Sequence, residues 1–312
     1  MSWRPSATLE TLKARAELLA SVRAFFSARG VMEVDTPILS QHATVDRHID
    51  SFGAAPGNGW LHTSPEFAMK RLLAAGSGPI YQLCHVFRVD EAGRHHNPEF
   101  TMLEWYRPGF DHHRLMDEVA ELVATLGGPA RCERITYRDA FLRKAGFDPF
   151  VEDVKAAQHA LEAACIAAPD EIGDWNGWLD LVMSFLVGPE LGFEMPVLLY
   201  DFPASQAALA RVRGDNPPVA ERFELFWKGI ELANGFHELT DAAEQRTRFE
   251  SDQSWRRMHG KSVPPYDKHL IDALDAGMPN CAGVALGIDR LLMLLRGLPN
   301  IAATIAFDAS RA

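Results

Sequence analysis

The sequence predicts an α+β fold, a mostly antiparallel sheet flanked by helices. Stretches with strand periodicity are mostly not separated by regular crossover helices, which disfavours a doubly wound parallel sheet. Two long strand-like stretches, 80–88 and 99–107, are joined only by a polar loop, as in a hairpin. Composition is that of an ordinary globular chain: 312 residues, 47% hydrophobic and 23% charged. A chain this long buries a core without disulfides or metals, and it shows no repeats and no low-complexity segment.

The elements follow in order. Leu9, Leu12, Ala16, Leu19, Val22 and Phe26 recur at helical spacing and predict an amphipathic helix over 8–29. Gly30 suits the left-handed position beyond it. A short strand is expected at Val31–Asp35, stopped by Pro37, then a loop over 42–59, a strand at Trp60–Thr63 and a helix at Glu66–Ala75. The hairpin pairs Ile80–Arg88 with Glu99–Arg107 around the polar loop Val89–Pro98. Asp111 can cap a helix running to Leu126. Residues 150–192 look helical and weakly patterned, as an inserted subdomain would. Strands return at Val197–Asp201, Arg222–Trp227, Gly229–Asn234 and Gly283–Ile288, with helices over 241–259, 268–276 and 290–297.

Charge and cysteine usage narrow the function classes. Lys and Arg number 31 against 42 Asp and Glu, a formal net charge of −11. The densest basic cluster is only Arg211 and Arg213, so bulk nucleic-acid binding is disfavoured. Cys84, Cys132, Cys165 and Cys281 lie far apart without a C-x-x-C, neither a zinc framework nor a disulfide set. No hydrophobic leader follows Met1 and no run of 18 apolar residues exists, so a cytoplasmic location is expected. Gly260-Lys261-Ser262 fails as a P-loop because Trp255 stands where the first glycine belongs. The adjacent pairs His95-His96 and His112-His113 make poor metal pairs, since neighbours on a strand point to opposite faces, and read instead as solvated loop histidines.

Three stretches carry chemistry. On the second hairpin strand one face holds Phe100, Met102, Glu104 and Tyr106. A carboxylate on such an apolar face costs several kcal/mol unless paired, so Glu104 needs a cation, either an internal Lys or Arg or a ligand ammonium. Arg88 and Arg94 flank the loop and could clamp a phosphate, and Phe100 could stack on a flat heterocycle. The other reading is an exposed hairpin with surface ion pairs. Next, Glu224, Glu231 and Glu238 recur at seven-residue steps. Gly229 and Gly235 are expected to kink or bulge the strand and re-aim these carboxylates, which then suit Mg²⁺; a solvated charged face is the alternative. Finally, Gly283, Ala285 and Gly287 strip one strand face to backbone, while Val284, Leu286 and Ile288 fill the other. A flat ligand could lie against the bare face. The following helix start, with Arg290, favours anions, although close packing of two elements would need the same residues.

Together these stretches resemble the three motifs of class II aminoacyl-tRNA synthetases. The helix and strand ending at Pro37 resemble motif 1, the dimer element; Phe87-Arg88 through Arg107 resembles motif 2; Gly283-x-Ala-x-Gly287-x-Asp289-Arg290 resembles motif 3. The runs His96–Tyr106 and Asn234-Gly235-Phe236-x-Glu238-Leu239 are similar to lysyl-tRNA synthetases in particular. Ser64-Pro65-Glu66, Gly93-Arg94, Phe236-His237-Glu238 and Gly283–Gly287 resemble the truncated paralogues that ligate (R)-β-lysine to elongation factor P. The motif 1 helix starts near Thr8, so an N-terminal OB-fold anticodon domain is not expected.

The resemblance implies one catalytic domain over 1–312 with a helical insertion near 150–192, acting as a homodimer that does not hold tRNA stably. It implies ATP and Mg²⁺ as cofactors, a small cationic amino acid as substrate and elongation factor P as acceptor. Arg88 and Arg290 would be catalytic, on the α- and γ-phosphates. Val89, Asp90, His96, Asn97, Phe100, Glu231, Leu232 and Gly287 would complete the ATP site. Ser64, Pro65, Glu66, Glu104, Tyr106, Asn234, Phe236, Glu238 and Ala285 would receive the amino acid, and Glu224 and Glu231 would hold Mg²⁺. Three positions depart from the synthetase pattern: Ala285 replaces the usual middle Gly of motif 3, Ser64 replaces a common Ala, and Asp90 replaces the Glu of Arg-x-Glu. Alternatives are an α-lysine-activating enzyme, an ammonia-dependent asparagine synthetase-like ligase, an acceptor-stem tRNA-charging enzyme and a regulatory paralogue. The asparagine synthetase-like reading meets the charge of three pocket carboxylates, and the regulatory one meets the retained Arg88 and Arg290.

Overall fold

The computed structural model describes residues 3–55, 57–169 and 172–312. In chain order the elements are α1 (Leu9–Ser27), β1 (Met32–Glu33), β2 (Leu39–Ser40), β3 (Trp60–Leu61), α2 (Glu66–Ala74), β4 (Ile80–Phe87), β5 (Glu99–Pro108) and α3 (His112–Thr125). There follow β6 (Glu133–Thr136), α4 (Tyr137–Lys144), α5 (Val154–Ala163), α6 (Trp175–Val182), β7 (Val197–Pro203), β8 (Val212–Arg213), β9 (Val219–Trp227) and β10 (Ile230–His237). The last are α7 (Ala242–Met258), α8 (Lys268–Asp275), β11 (Cys281–Gly287) and α9 (Ile288–Arg296). The class is the expected one, mostly antiparallel strands flanked by helices, with β1 pairing parallel to β4 and β6 parallel to β7. No helix is long and apolar enough to cross a membrane among the described residues.

The contacts divide the chain into two compact units. The first comprises Met1–Phe110, Thr125–Gly128 and Leu239–Ala312. Its strands run in the order β1, β4, β5, β11. Thr8 caps α1 by accepting from the Thr11 N–H at 3.1 Å. The buried stripe of α1 is Thr11, Leu18, Val22, Phe25 and Phe26 rather than the one through Leu9, which is 72% exposed. The helix is rotated because Arg15 turns inward to pair with Asp289 of α9 and to donate to Thr101 Oγ1 at 2.6 Å. Phe26 stacks on Tyr81 with centroids 4.4 Å apart and meets Trp105 edge-on at 5.4 Å. Each such pair is worth about 0.5–1.5 kcal/mol beyond its buried area. This apolar packing uses the side of β4 and β5 opposite Glu104, so the alternation of β5 assigns one face to the core and leaves the other for chemistry.

The second unit comprises Asp111–Ala124 and Pro129–Glu238. Its strand order is β10, β9, β7, β6, with β8 beside β9. Its core joins Ile135, Tyr137, Phe141, Leu161, Leu179 and Phe202, with Tyr137 stacked on Phe141 one helical turn away at 4.5 Å. Within 150–192 the chain forms α5, α6 and a π-helical turn at Met183–Val187; Asp170 and Glu171 of that segment, like Pro56 of the 42–59 loop, lie outside the described residues. β6 and α4, which the sequence pattern does not predict, bring Ile135, Tyr137 and Phe141 to this core. His112 corrects an expectation. It is 2% exposed in the first turn of α3, on the stripe that also buries Leu115, Met116 and Val119, because i, i+3, i+4 and i+7 share one helical face.

Candidate functional site

In the first unit the open face of β4, β5 and β11 is set by register. Gln82 of β4 and Ala285 of β11 flank Glu104 directly, and Ile80 and Gly283 flank Tyr106. Small residues on β11 leave room above the two polar side chains. Glu104 is 2% exposed. Tyr106 OH donates to its Oε1 and Ser64 Oγ to its Oε2, each at 2.6 Å. Ser64 Oγ also accepts from the Glu66 N–H at 2.9 Å, so one hydroxyl fixes both the start of α2 and the carboxylate. Pro65 occupies the cap position of that helix.

Burial raises the Glu104 pKa to about 7, and the charge of Glu66 adds to the rise. The two hydroxyls and the Lys70 ammonium oppose it. Lys70 lies one turn beyond Glu66 and pairs with it at 2.7 Å while itself 1% exposed. The cation that Glu104 requires is therefore shared: Lys70 is close, but its direct ion pair is with Glu66. Burial, and secondarily Glu104, pushes the neighbouring Cys84 thiol up to about 12, so that cysteine stays protonated. Sequence reasoning missed Lys70 and Gln82. The i, i+4 spacing of Glu66 and Lys70 was the available signal for the first.

The β4–β5 loop carries the arginines. Arg88 stands at the end of β4 with its guanidinium 5.2 Å from the Phe100 ring centroid. Its Nη1 reaches Glu91 at 3.3 Å and its Nε donates to Thr63 O at 3.4 Å. These are long contacts, which an anion can replace. The Val89 N–H donates to Asp50 O at 2.9 Å. Asp90 has φ +62°, a left-handed conformation that Asp tolerates far better than most residues, a local reason for the shorter acid there. Gly93 and His96 close the loop tip with His96 exposed.

Asn97 is committed to the scaffold, its Nδ2 donating to Glu99 O at 2.6 Å and its Oδ1 accepting from the Ala309 N–H at 3.0 Å. Arg94 Nε donates to Pro299 O at 3.1 Å, and Arg290 Nε donates to His95 O at 3.2 Å. Arg290 follows Gly287, the cap of α9, by three residues. The buried Asp289 beside it accepts from the Thr101 N–H at 2.8 Å and pairs with Arg15, which ties the start of α9 to β5 and α1.

In the second unit β9 and β10 meet at Lys228-Gly229, with φ +52° and +72°, the signature of a two-residue type I′ turn. Gly229 is required twice, since a Cβ there would also lie 2.6 Å from Pro189 O. The expected bulge exists but not at Gly235, which pairs in register with Phe223; it lies between Glu231 and Ala233. Leu232 is the extra residue: the two-residue turn already puts Glu231 opposite Phe226, on the face of Glu224, and the bulge brings Asn234 and Phe236 onto that same face. Glu224 lies opposite Asn234, and Phe236 opposite Arg222. Glu224, Glu231, Asn234, Phe236 and Glu238 thus share one face, although steps of seven along an unbroken strand would alternate.

Burial pushes the Glu224 pKa up to about 7. The Arg222 guanidinium, which also bonds it directly, opposes that rise, and Glu231 adds to it. Arg222 Nε also reaches Asn234 Oδ1 at 3.3 Å. Arg222 went unread as a site residue; its signal was position i−2 on the same strand face as Glu224. Two carboxylates whose mutual repulsion favours protonation are a fitting seat for a divalent cation with oxygen preference.

The first unit thus holds a buried carboxylate set among hydroxyls, an arginine over an aromatic ring and an arginine at a helix start; the second, by itself, holds a pair of crowded glutamates. The sequence model of the tRNA synthetases class II (D, K and N) matches residues 1–311. The chain belongs to the class II tRNA synthetase family of the D, K and N group.

Proposed function

We propose that the protein activates (R)-β-lysine with ATP as the acyl-adenylate and transfers it to a lysine ε-amino group of elongation factor P. Family membership implies the coarser activity, an ATP-dependent amino acid ligase. The observation that carries the finer reading is Glu104, a nearly sealed carboxylate that accepts from the hydroxyls of Ser64 and Tyr106, which a substrate ammonium would complete. Ser64 supplies one of those hydroxyls at a position where lysyl-tRNA synthetases commonly carry Ala, and the Cβ of Ala285 narrows the same face. Both changes suit an amino group placed differently from that of α-lysine. Pro65, Glu66, Tyr106, Asn234, Phe236 and Glu238 belong to this substrate assignment.

In the reaction a substrate carboxylate oxygen bonds to the α-phosphorus while the bond to the bridging oxygen breaks and pyrophosphate leaves. The acceptor amine then attacks the acyl carbon and AMP departs with the bonding electrons. Catalysis is positioning and charge neutralisation. Arg88 would hold the α-phosphate, Phe100 would stack on adenine, and Arg290 would meet the γ-phosphate at the start of α9. Val89, Asp90, His96, Asn97, Leu232 and Gly287 would shape the nucleotide's surroundings. Glu224 and Glu231 would hold Mg²⁺, which when bound neutralises phosphate charge. The proposal includes a homodimer, and Met32 and Leu39 near the motif 1 segment are each about half exposed.

The test is ATP–pyrophosphate exchange with Mg²⁺ and no tRNA, using α-lysine, (R)-β-lysine, (S)-β-lysine and aspartate. Preference for (R)-β-lysine, followed by transfer to elongation factor P, is the expected result. Preference for α-lysine or (S)-β-lysine overturns the substrate assignment. Exchange with aspartate overturns the pocket argument.

A further inference from the structure

The reverse side of the β9–β10 hairpin carries a second polar cluster that the ligase reading does not use. Glu221 of β9 and His237 of β10 sit on the face opposite Glu224, and His112 of α3 reaches them. All three are at least nine-tenths buried. One ligand atom from each lies within 4.8 Å of the others. His237 Nδ1 lies 2.6 Å from Glu221 Oε2, so the two already face one another. Both ring nitrogens of His112 are buried without a hydrogen-bond partner. Asp201 Oδ1 is likewise unsatisfied and lies 3.6 Å from His112 Nε2.

The outer side of the cluster is already taken. Arg213 gives Nη2 to Asp201 Oδ2 at 2.9 Å, Nη1 to Glu221 Oε1 at 3.6 Å and Nε to Asp215 Oδ2 at 2.7 Å. Arg211 Nε stands 3.7 Å from Glu221 Oε2. Three carboxylates face two guanidiniums, so the inner atoms keep an excess negative charge. Asp201 takes φ +60° beside a register shift between Tyr200 and Phe202, a left-handed turn that Asp tolerates and that brings its carboxylate into the cluster. Unmet buried polar atoms are costly, and a single cation would satisfy several at once.

We propose that His112, Glu221 and His237, with Asp201 as a fourth donor, bind one divalent transition-metal ion of the zinc type. Two imidazoles with carboxylates select such an ion over Mg²⁺ or Ca²⁺. Arg213, gripping the outer oxygens, orients both carboxylates from outside. The site ties α3, β7, β9 and β10 together and serves structure, because His112, Glu221 and His237 are buried.

The test is equilibrium dialysis of the full chain, stripped with chelator, against Zn²⁺, with metal quantified by mass spectrometry. One equivalent should bind, and His112→Gln and Glu221→Gln should each weaken binding at least about tenfold, with far-ultraviolet dichroism reporting that the variants fold. Zn²⁺ should raise the Tm of the wild type and not of the variants. No stoichiometric zinc, or zinc unaffected in folded variants, overturns the site. Should the variants fail to fold, X-ray absorption of the zinc-loaded wild type decides: two imidazole ligands support it, and an all-oxygen shell overturns it.

Discussion

Glu104 and Glu224 are both buried glutamates on strands, and in both burial lifts the pKa to about 7. Their partners differ in kind. Glu104 is bonded by two neutral hydroxyls, with its nearest ammonium paired directly to Glu66. Glu224 holds a guanidinium of its own strand. Hydroxyls stabilise a carboxylate without cancelling its charge, so Glu104 keeps an appetite for a cation, whereas Glu224 has part of its charge answered and shares the rest with Glu231. A buried carboxylate's role is thus set less by its pKa than by whether its neighbours are charged.

The comparison can be broken in steps of decreasing size. Glu104→Gln keeps the shape and removes the charge; kcat/KM for the cationic amino acid should fall at least about a hundredfold, with KM for ATP within a few-fold in exchange assays. An unchanged amino acid KM and kcat would sink the assignment. Arg222→Met makes Glu224 resemble Glu104 by removing its guanidinium. The Glu224 pKa should rise further, and half-maximal Mg²⁺ in the exchange reaction should increase about tenfold at pH 7.

A third experiment uses linkage. Between the ordinary glutamate value of 4.5 and about 7, the folded state keeps a proton on Glu104 that the unfolded state has released. Stability therefore falls as pH rises through that window and is lowest above it. Glu104→Gln should raise the stability of the ligand-free protein by about 1–3 kcal/mol at pH 8 and do nothing comparable at pH 4.5, measured by urea unfolding. Glu224→Gln should gain less, because Arg222 then loses its partner. Equal gains would erase the distinction between the two sites. The smallest effect is that of Ser64→Ala, which removes one of two hydroxyls from Glu104 and one cap acceptor from α2. It should cost about 1 kcal/mol of stability and shift amino acid KM several-fold without moving KM for ATP.

Much of this was legible in the sequence because strands alternate. The faces of β5 and β11 follow from period two alone, and so does the conclusion that Glu104 needs a cation. Neighbours brought in by tertiary packing were not legible. Lys70 belongs to a helix whose docking the sequence does not state. The Glu231 bulge sits at Leu232, a residue with no turn signature, rather than at the glycine that advertises one. Arg15 reads as a surface residue of an amphipathic helix until Asp289 appears beneath it. His112 was misread because a pair of adjacent histidines was judged on strand geometry, when Asp111 ahead of it, accepting from the Arg114 N–H at 2.8 Å, begins a helix that turns one of the two inward.

The Asn97 clip has a practical side. Through Asn97, Arg94 and the Ile301 N–H donating to Arg94 O at 2.9 Å, the loop that aims Arg88 is fastened to residues 299–309. The same segment is zipped to Ser6, whose hydroxyl donates to Asp308 at 2.7 Å. A protease nick near residue 300 would therefore act as a lesion of the arginine loop, two hundred positions upstream. Preparations that lose their last dozen residues during purification should be suspected of inactivity before any point variant is blamed.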